Sequence, residues 1–207
     1  MSHAPILAAA IALLAFTRAA VPDETTYYVG HHPKYVNITF ESEADIENIV
    51  GTTNKAAGEI KADLAKGAGS VSITVPVASL KTGIDMRDEH LRSEMWLNAA
   101  KFPAITFASK KVEKGEGNTV KVTGDFSMHG VTKEITVTVE WKELPDEVVK
   151  KAKFPEGKWL KFTTKFEVKL SDFGVKIPEF VVGKVSDAWT VKMAMFSGTA
   201  KPEAEKK

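Results

Sequence analysis

The sequence contains no cysteine among its 207 residues. Disulfides, thiolate metal sites and cysteine nucleophiles are therefore excluded. A lipid anchor on an export signal is excluded as well, because that acylation needs a cysteine. Stability must come from a buried core, and this length supports one domain, or two small ones. No basic block or arm occurs: 28 Lys+Arg stand against 27 Asp+Glu, interspersed, for a formal net charge of +1. Neither nucleic acid nor an anionic membrane surface is an indicated partner, and any membrane contact is at most transient. Catalytic signatures are missing too. There is no G-x-S-x-G elbow and no glycine-rich phosphate loop. His31 and His32 are adjacent, so on a strand they face opposite sides. His90 lies among Asp85, Asp88 and Glu89 but without H-E-x-x-H spacing. No catalytic residue and no metal site is assigned.

Long apolar runs are also scarce. Ile6 to Phe16 is apolar but too short to span a bilayer comfortably. With the small residues that follow, it reads as a secretory signal peptide over residues 1–20, an uncleaved membrane anchor being the alternative. The expected address is the periplasm or the exterior. The last residues, 201–207, read as a disordered polar tail.

What the chain does have is alternation with a period of two. Val71, Ile73, Val75 and Val77 alternate with Ser72, Thr74 and Pro76. Val120, Val122, Gly124, Phe126 and Met128 share one face, and so do Ile135, Val137, Val139 and Trp141. Phe162 to Leu170 and Trp189 to Met195 repeat the pattern, as do the shorter runs Asn37–Phe40, Ile46–Val50 and Gly58–Ala62. Pro76 predicts an edge, a bulge or the start of a bend. Gly124 on the apolar face permits strong curvature or leaves room. Turns are expected at Gly67–Gly69, Lys114–Asn118 and His129–Gly130. A surface excursion with two helical turns is expected between Leu144 and Gly157. Short connections without crossover helices predict antiparallel neighbours. About eight such strands close into an up-and-down barrel or stack as a two-layer sandwich, with the apolar face inward.

One stretch breaks the alternation: Ser79 to Phe107. It reads as a strand end, the tight segment Thr82–Asp85, and a short helix N-capped by Asp88, with Leu91 and Met95 on one face. Lys101-Phe102-Pro103 is expected to stop it. A helix between strands near the middle of an all-β chain suggests a cap on a sheet that curls.

Thr82-Gly83, Arg87-Asp88-Glu89-His90-Leu91, Ser93 and Lys101-Phe102-Pro103 followed by Thr106-Phe107 resemble the signature of the YceI-like family. Met128-His129-Gly130-Val131-Thr132-Lys133 and Ser171-Asp172-Phe173-Gly174 extend the resemblance over residues 21–200. Two departures stand out. Met95-Trp96-Leu97-Asn98 replaces an aspartate, two phenylalanines and a second aspartate, and Leu170 replaces a common arginine. The resemblance implies a lipocalin-like antiparallel barrel of about eight strands that holds a polyisoprenoid or other amphiphilic lipid. Carried onto this sequence, the lipid tail would lie against Phe40, Ile73, Val75, Phe107, Val122, Phe126, Val137, Val139, Phe162, Phe166, Trp189 and Met193. Arg87, Asp88 and His90 would sit near the mouth, either contacting a head group or pinning the helix to the barrel. Ordinary core packing is the alternative for each apolar position. The resemblance thus implies a non-catalytic exported binding protein with no cofactor, unless a bound isoprenoid or quinone-type lipid is counted as one. A homodimer is left open. The competing reading is an enzyme acting on a lipid or quinone at the barrel mouth through His90, Asp88 or His129.

Overall fold

Alternating apolar side chains need a sheet with one dry face, and the chain builds a single antiparallel sheet to supply it. The computed structural model describes residues 24–202. Its strands are β1 (Thr25–Val29), β2 (Val36–Glu43), β3 (Asn48–Thr53), β4 (Ala57–Asp63), β5 (Ala68–Pro76), β6 (Ala104–Lys114), β7 (Thr119–Met128), β8 (Val131–Glu143), β9 (Trp159–Lys169) and β10 (Ala188–Gly198). Helix α1 (Asp85–Arg92) lies between β5 and β6, and α2 (Asp146–Lys151) between β8 and β9. The expected signal segment lies outside the described residues, as does the tail beyond residue 202. No helix among the described residues is long and apolar enough to cross a membrane.

The sheet runs in the order β1-β4-β5-β6-β7-β8-β9-β10-β2-β3, and a further β1–β10 pairing closes it. That pairing is the rung Tyr28–Gly198. Eight strands thus form the barrel, as the alternation predicts. The hairpin β2–β3 adds two more, with β2 paired along β10 from Trp189–Ser42 to Met195–Val36. The edge of β3 is not left bare. Thr52 and Lys81 exchange backbone bonds of 2.7 and 2.9 Å, which tie the segment before α1 to the barrel.

Most turns fall where the residues predict them. His129 and Gly130 both have positive φ, 52° and 77°, and join β7 to β8 as a two-residue hairpin. Pro76 ends β5, and a 3₁₀ turn over Val77–Ser79 bends the chain toward α1. Several boundaries shift. β5 begins at Ala68, inside the expected Gly67–Gly69 turn. Ile46 belongs to a loop and stands exposed rather than opening a strand. Leu170 leaves β9 for a 3₁₀ turn over Leu170–Phe173.

The helix departs furthest from expectation. It starts three residues before Asp88, with Ile84 at its N-cap position, so Asp88 is a helical residue and not the cap. It also stops at Arg92, well before Lys101-Phe102-Pro103. Ser93 takes an extended ψ of 168°, and its N–H and hydroxyl both donate to the His90 carbonyl. The chain then doubles back, with Leu97 N–H on Leu91 O and Ala99 N–H on Arg92 O. Met95 consequently lies outside the helix and is exposed.

Glycines set the local curvature. A Cβ on Gly124 would come within 2.4 Å of Ala108 O and 2.8 Å of the Phe107 ring. The β6–β7 register slips beside it, between Ser109 and Lys111, as a bulge does. Gly51 plays the same part for its cross-strand partner Phe40, whose ring fills the place of a Cβ. In both cases the ring lies against bare backbone at the wall. Gly124→Val is expected to cost about 2–3 kcal/mol through overpacking, and a lowered urea midpoint would show it.

A second, smaller core lies apart from the barrel interior. The excursion after β8 folds back so that Val149 and Phe154 meet Tyr35, Trp159 and Phe196. Trp159 is completely buried, and its indole N–H donates to Pro155 O at 2.9 Å.

Candidate functional site: an apolar cavity along the barrel

The inward side chains do not fill the barrel. They leave a cavity of about 220 Å³. That exceeds the ~150 Å³ of an apolar cavity known to stay dry and take up benzene. It runs lengthwise, from Leu80, Leu91, Trp96 and Leu97 near α1 to Leu64 and Gly67 in the β4–β5 turn. All twelve side chains placed along the lipid tail by sequence line it. Phe126 sits edge-on to Phe166 and to Phe173, at 6.0 and 5.4 Å. Trp189 tilts against Phe40 at 5.6 Å and donates its indole N–H to Ser186 O, so its one polar atom is satisfied outside the hollow.

Two polar side chains of the wall are already engaged. Asp63 accepts from Lys66 N–H and pairs with the Lys66 ammonium at 2.8 Å. Those contacts hold its carboxyl below the usual carboxylate range. Thr164 Oγ1 donates to Thr138 O. Three buried side-chain atoms among the described residues lack a partner, His31 Nε2, Arg92 Nη1 and Ser197 Oγ, and none belongs to the lining. The interior therefore offers chiefly volume and dispersion contacts.

Sequence reasoning missed part of the lining. Ile38 and Ile60 lie on predicted strands, and the alternation that picked Phe40 points to Ile38 as well. Trp96 and Leu97 carry no such signal. They stand in the irregular stretch after α1, at the position of the family departure, and only the doubling back of the chain turns them inward.

The rim candidates have different fates. Asp88 is buried, and its Oδ1 accepts from Thr82 N–H at 2.6 Å and Thr82 Oγ1 at 2.7 Å, with Lys81 Nζ 3.6 Å from Oδ2. Burial pushes its carboxyl up, but the Thr82 bonds and the Lys81 charge outweigh that, so the net shift is downward. Arg87 reaches Glu47 Oε1 at 2.6 Å and Thr82 Oγ1 at 3.1 Å, bracing α1 against the β2–β3 loop. His90 is exposed on α1. His129 donates from Nδ1 to Phe173 O at 3.0 Å and packs edge-on to Phe102. The structure does not gather His90, Asp88 and His129 into one cluster, since their partners differ. His31 lies against the Trp159 ring, and His32 accepts from Lys34 N–H, so the two diverge. No group of three or more His, Asp or Glu among the described residues could hold a metal.

A closed antiparallel barrel with a lengthwise hydrocarbon cavity and a helical cap defines a lipocalin-like class of binding fold. Residues 31–195 match the model of the YceI-like domain, and the chain belongs to that family. The "UPF0312 protein" of Shewanella oneidensis is 33% identical over 155 residues, 73% of this chain and 77% of that protein. Its counterpart in Shewanella denitrificans is 36% identical over 132 residues, covering 62% of this chain and 65% of the relative. "Protein YceI" of Escherichia coli is 36% identical over 109 residues, 53% of each chain. The chain thus spans from about half to about two thirds of the latter two relatives. Among solved structures, Burkholderia cenocepacia BcnA superposes with a TM-score of 0.68 at 24% identity, covering 80% of this chain and 98% of that one. A polyisoprenoid binding domain from Saccharophagus degradans does so at 0.64 and 14% identity, covering 85% and 99%. These likenesses show the fold.

Asp88 yields a test of the cap. Its folded pKa lies below the ordinary 3.8, so its stabilisation is complete above that value and is lost as pH falls through the folded pKa. Asp88→Ala is expected to cost about 2 kcal/mol at neutral pH, because it strands the Thr82 donors. In Asp88→Asn the acid-side decline in melting temperature should be shallower than in the parent, as read by thermal melts from neutral pH to about pH 2.

Proposed function

We propose that this protein is an exported, non-catalytic carrier that holds the chain of a long isoprenoid or another amphiphilic lipid in its barrel. The observation that carries this reading is the cavity itself: elongated, walled almost wholly by hydrocarbon, and lined by none of the buried partnerless polar atoms among the described residues. Each methylene that such a guest buries is worth roughly 0.8 kcal/mol before entropic costs, so affinity needs no internal hydrogen bond. The polyisoprenoid-binding neighbour from Saccharophagus degradans supports the ligand class, and the apolar segment at residues 6–16 supports export. Met193 and Met195, both in the lining, are flexible and polarizable and suit a wall that adapts to different chains. The commitments of Asp88 and His129 to Thr82 and Phe173 favour structural roles for both over turnover at the mouth.

The test is native mass spectrometry of the exported protein, then solvent extraction and lipid analysis. A copurifying long-chain amphiphile is expected. Val137→Trp and Ile73→Trp, each filling the hollow from a different strand, should abolish loading while circular dichroism stays that of the parent. Unchanged loading in both folded variants would sink the reading.

A further inference from the structure

Two ladders between long strands of this barrel stop short. β5 and β6 pair only from Ser72–Ala108 to Pro76–Ala104, and beyond that Val71 N–H on Ser109 Oγ and Lys114 Nζ on Ala65 O still tie the two sides. The parting of β8 from β9 is longer. β8 pairs with β9 only from Glu143–Leu160 to Val139–Thr164. Beyond that rung, residues 131–138 of β8 and 165–169 of β9 have no ladder partner across the gap. Each strand stays held on its far side, β8 by β7 as far as Val131 and β9 by β10 as far as Lys169. The facing edges alone are unzipped.

The cavity lies directly behind this seam. Ile135 and Val137 on one edge and Phe166 and Val168 on the other all line it. Thr164 Oγ1 donates to Thr138 O at 2.8 Å and marks where the seam begins. At its other end Lys133 Nζ meets Asp172 Oδ1 at 2.6 Å, across from β8 to the 3₁₀ turn after β9. The same turn brings Phe173 against Phe126, with the Phe173 carbonyl held by His129. The cover over the seam is therefore one turn of chain, held on the β8 side by an exposed ion pair and a single imidazole bond. On its other side Asp187 anchors it, with its carbonyl accepting from Leu170 N–H and its carboxylate from Ser171 N–H and Oγ.

We propose that a hydrocarbon guest enters and leaves sideways, through the parted edges of β8 and β9, with the Leu170–Phe173 turn as the movable cover. Passing a chain between paired strands breaks a ladder bond at every second residue, whereas passing it here breaks none. At the α1 end of the barrel the way is blocked by Leu80, Leu91, Trp96 and Leu97, behind a cap that Asp88 and Arg87 brace. At the other end the β4–β5 turn bounds the cavity with Leu64 and Gly67 and is tied to β6 by Lys114 Nζ on Ala65 O at 3.3 Å. The proposal rests on the carrier reading above.

The absence of cysteine makes the test clean. Extending the β8–β9 register places Thr136 opposite Glu167 and Glu134 opposite Lys169. Thr136→Cys/Glu167→Cys and Glu134→Cys/Lys169→Cys put thiols on either side of the seam, for joining with a short bismaleimide. Glu113→Cys/Lys121→Cys, an outward rung of the continuously paired part of the β6–β7 ladder beyond its bulge, is the control. Uptake and release of cis-parinaric acid are followed by stopped-flow fluorescence, with near-ultraviolet circular dichroism confirming the fold. Joining either seam pair should slow both rates by about tenfold or more and leave the amount bound at equilibrium unchanged. The control pair should change neither. Equal rates in joined and open protein, or equal slowing by the control, overturn the seam route alone. No uptake by the open protein overturns the carrier reading, and the seam with it.

Discussion

Everything in this molecule depends on the two-residue period of a strand in a sheet that closes on itself. Closure leaves no choice about which face is dry, because one face turns wholly inward. Every second residue of the long strands must then be apolar. The rung Tyr28–Gly198 and the tie between Thr52 and Lys81 are where the ring is completed, and both are short. A one-residue slip in any strand would turn its lysines and glutamates into the hollow. Register is thus enforced by the solvent preference of whole faces and not by a few special contacts.

That constraint explains why so much of the fold was readable from residues alone. The alternation from Val120 to Met128 and from Ile135 to Trp141 specifies strand, face and neighbour together. The cavity-facing residues on these strands could be named from pattern because each sits on an uninterrupted run. The reading failed where period two stops. Asp88 looked like a helix cap because it precedes Glu89 and Leu91. Its true partners, Thr82 and Lys81, come from a segment whose path is set by the bridge to Thr52. Trp96 and Leu97 turn inward through tertiary bonds to the end of α1, which no local periodicity encodes. The parting of β8 from β9 is equally silent in sequence, since both strands keep their alternation beyond the last shared rung.

Hollowness has a structural cost that the aromatic and glycine placements help to meet. Phe40 over Gly51 and Phe107 against Gly124 keep large rings at the wall. Dense packing is thereby confined to a shell, and the open space is collected along the axis instead of being scattered as small voids. A scattered void merely loses contacts. A continuous one can receive a guest.

The Tyr35–Val149–Phe154–Trp159–Phe196 cluster stands outside that arrangement. It shares no residue with the cavity wall, so whatever occupies the axis neither adds to nor subtracts from its contacts. The protein consequently keeps its ballast and its hold in separate compartments. An empty barrel retains an anchored end, and filling or emptying the axis would leave that anchor in place.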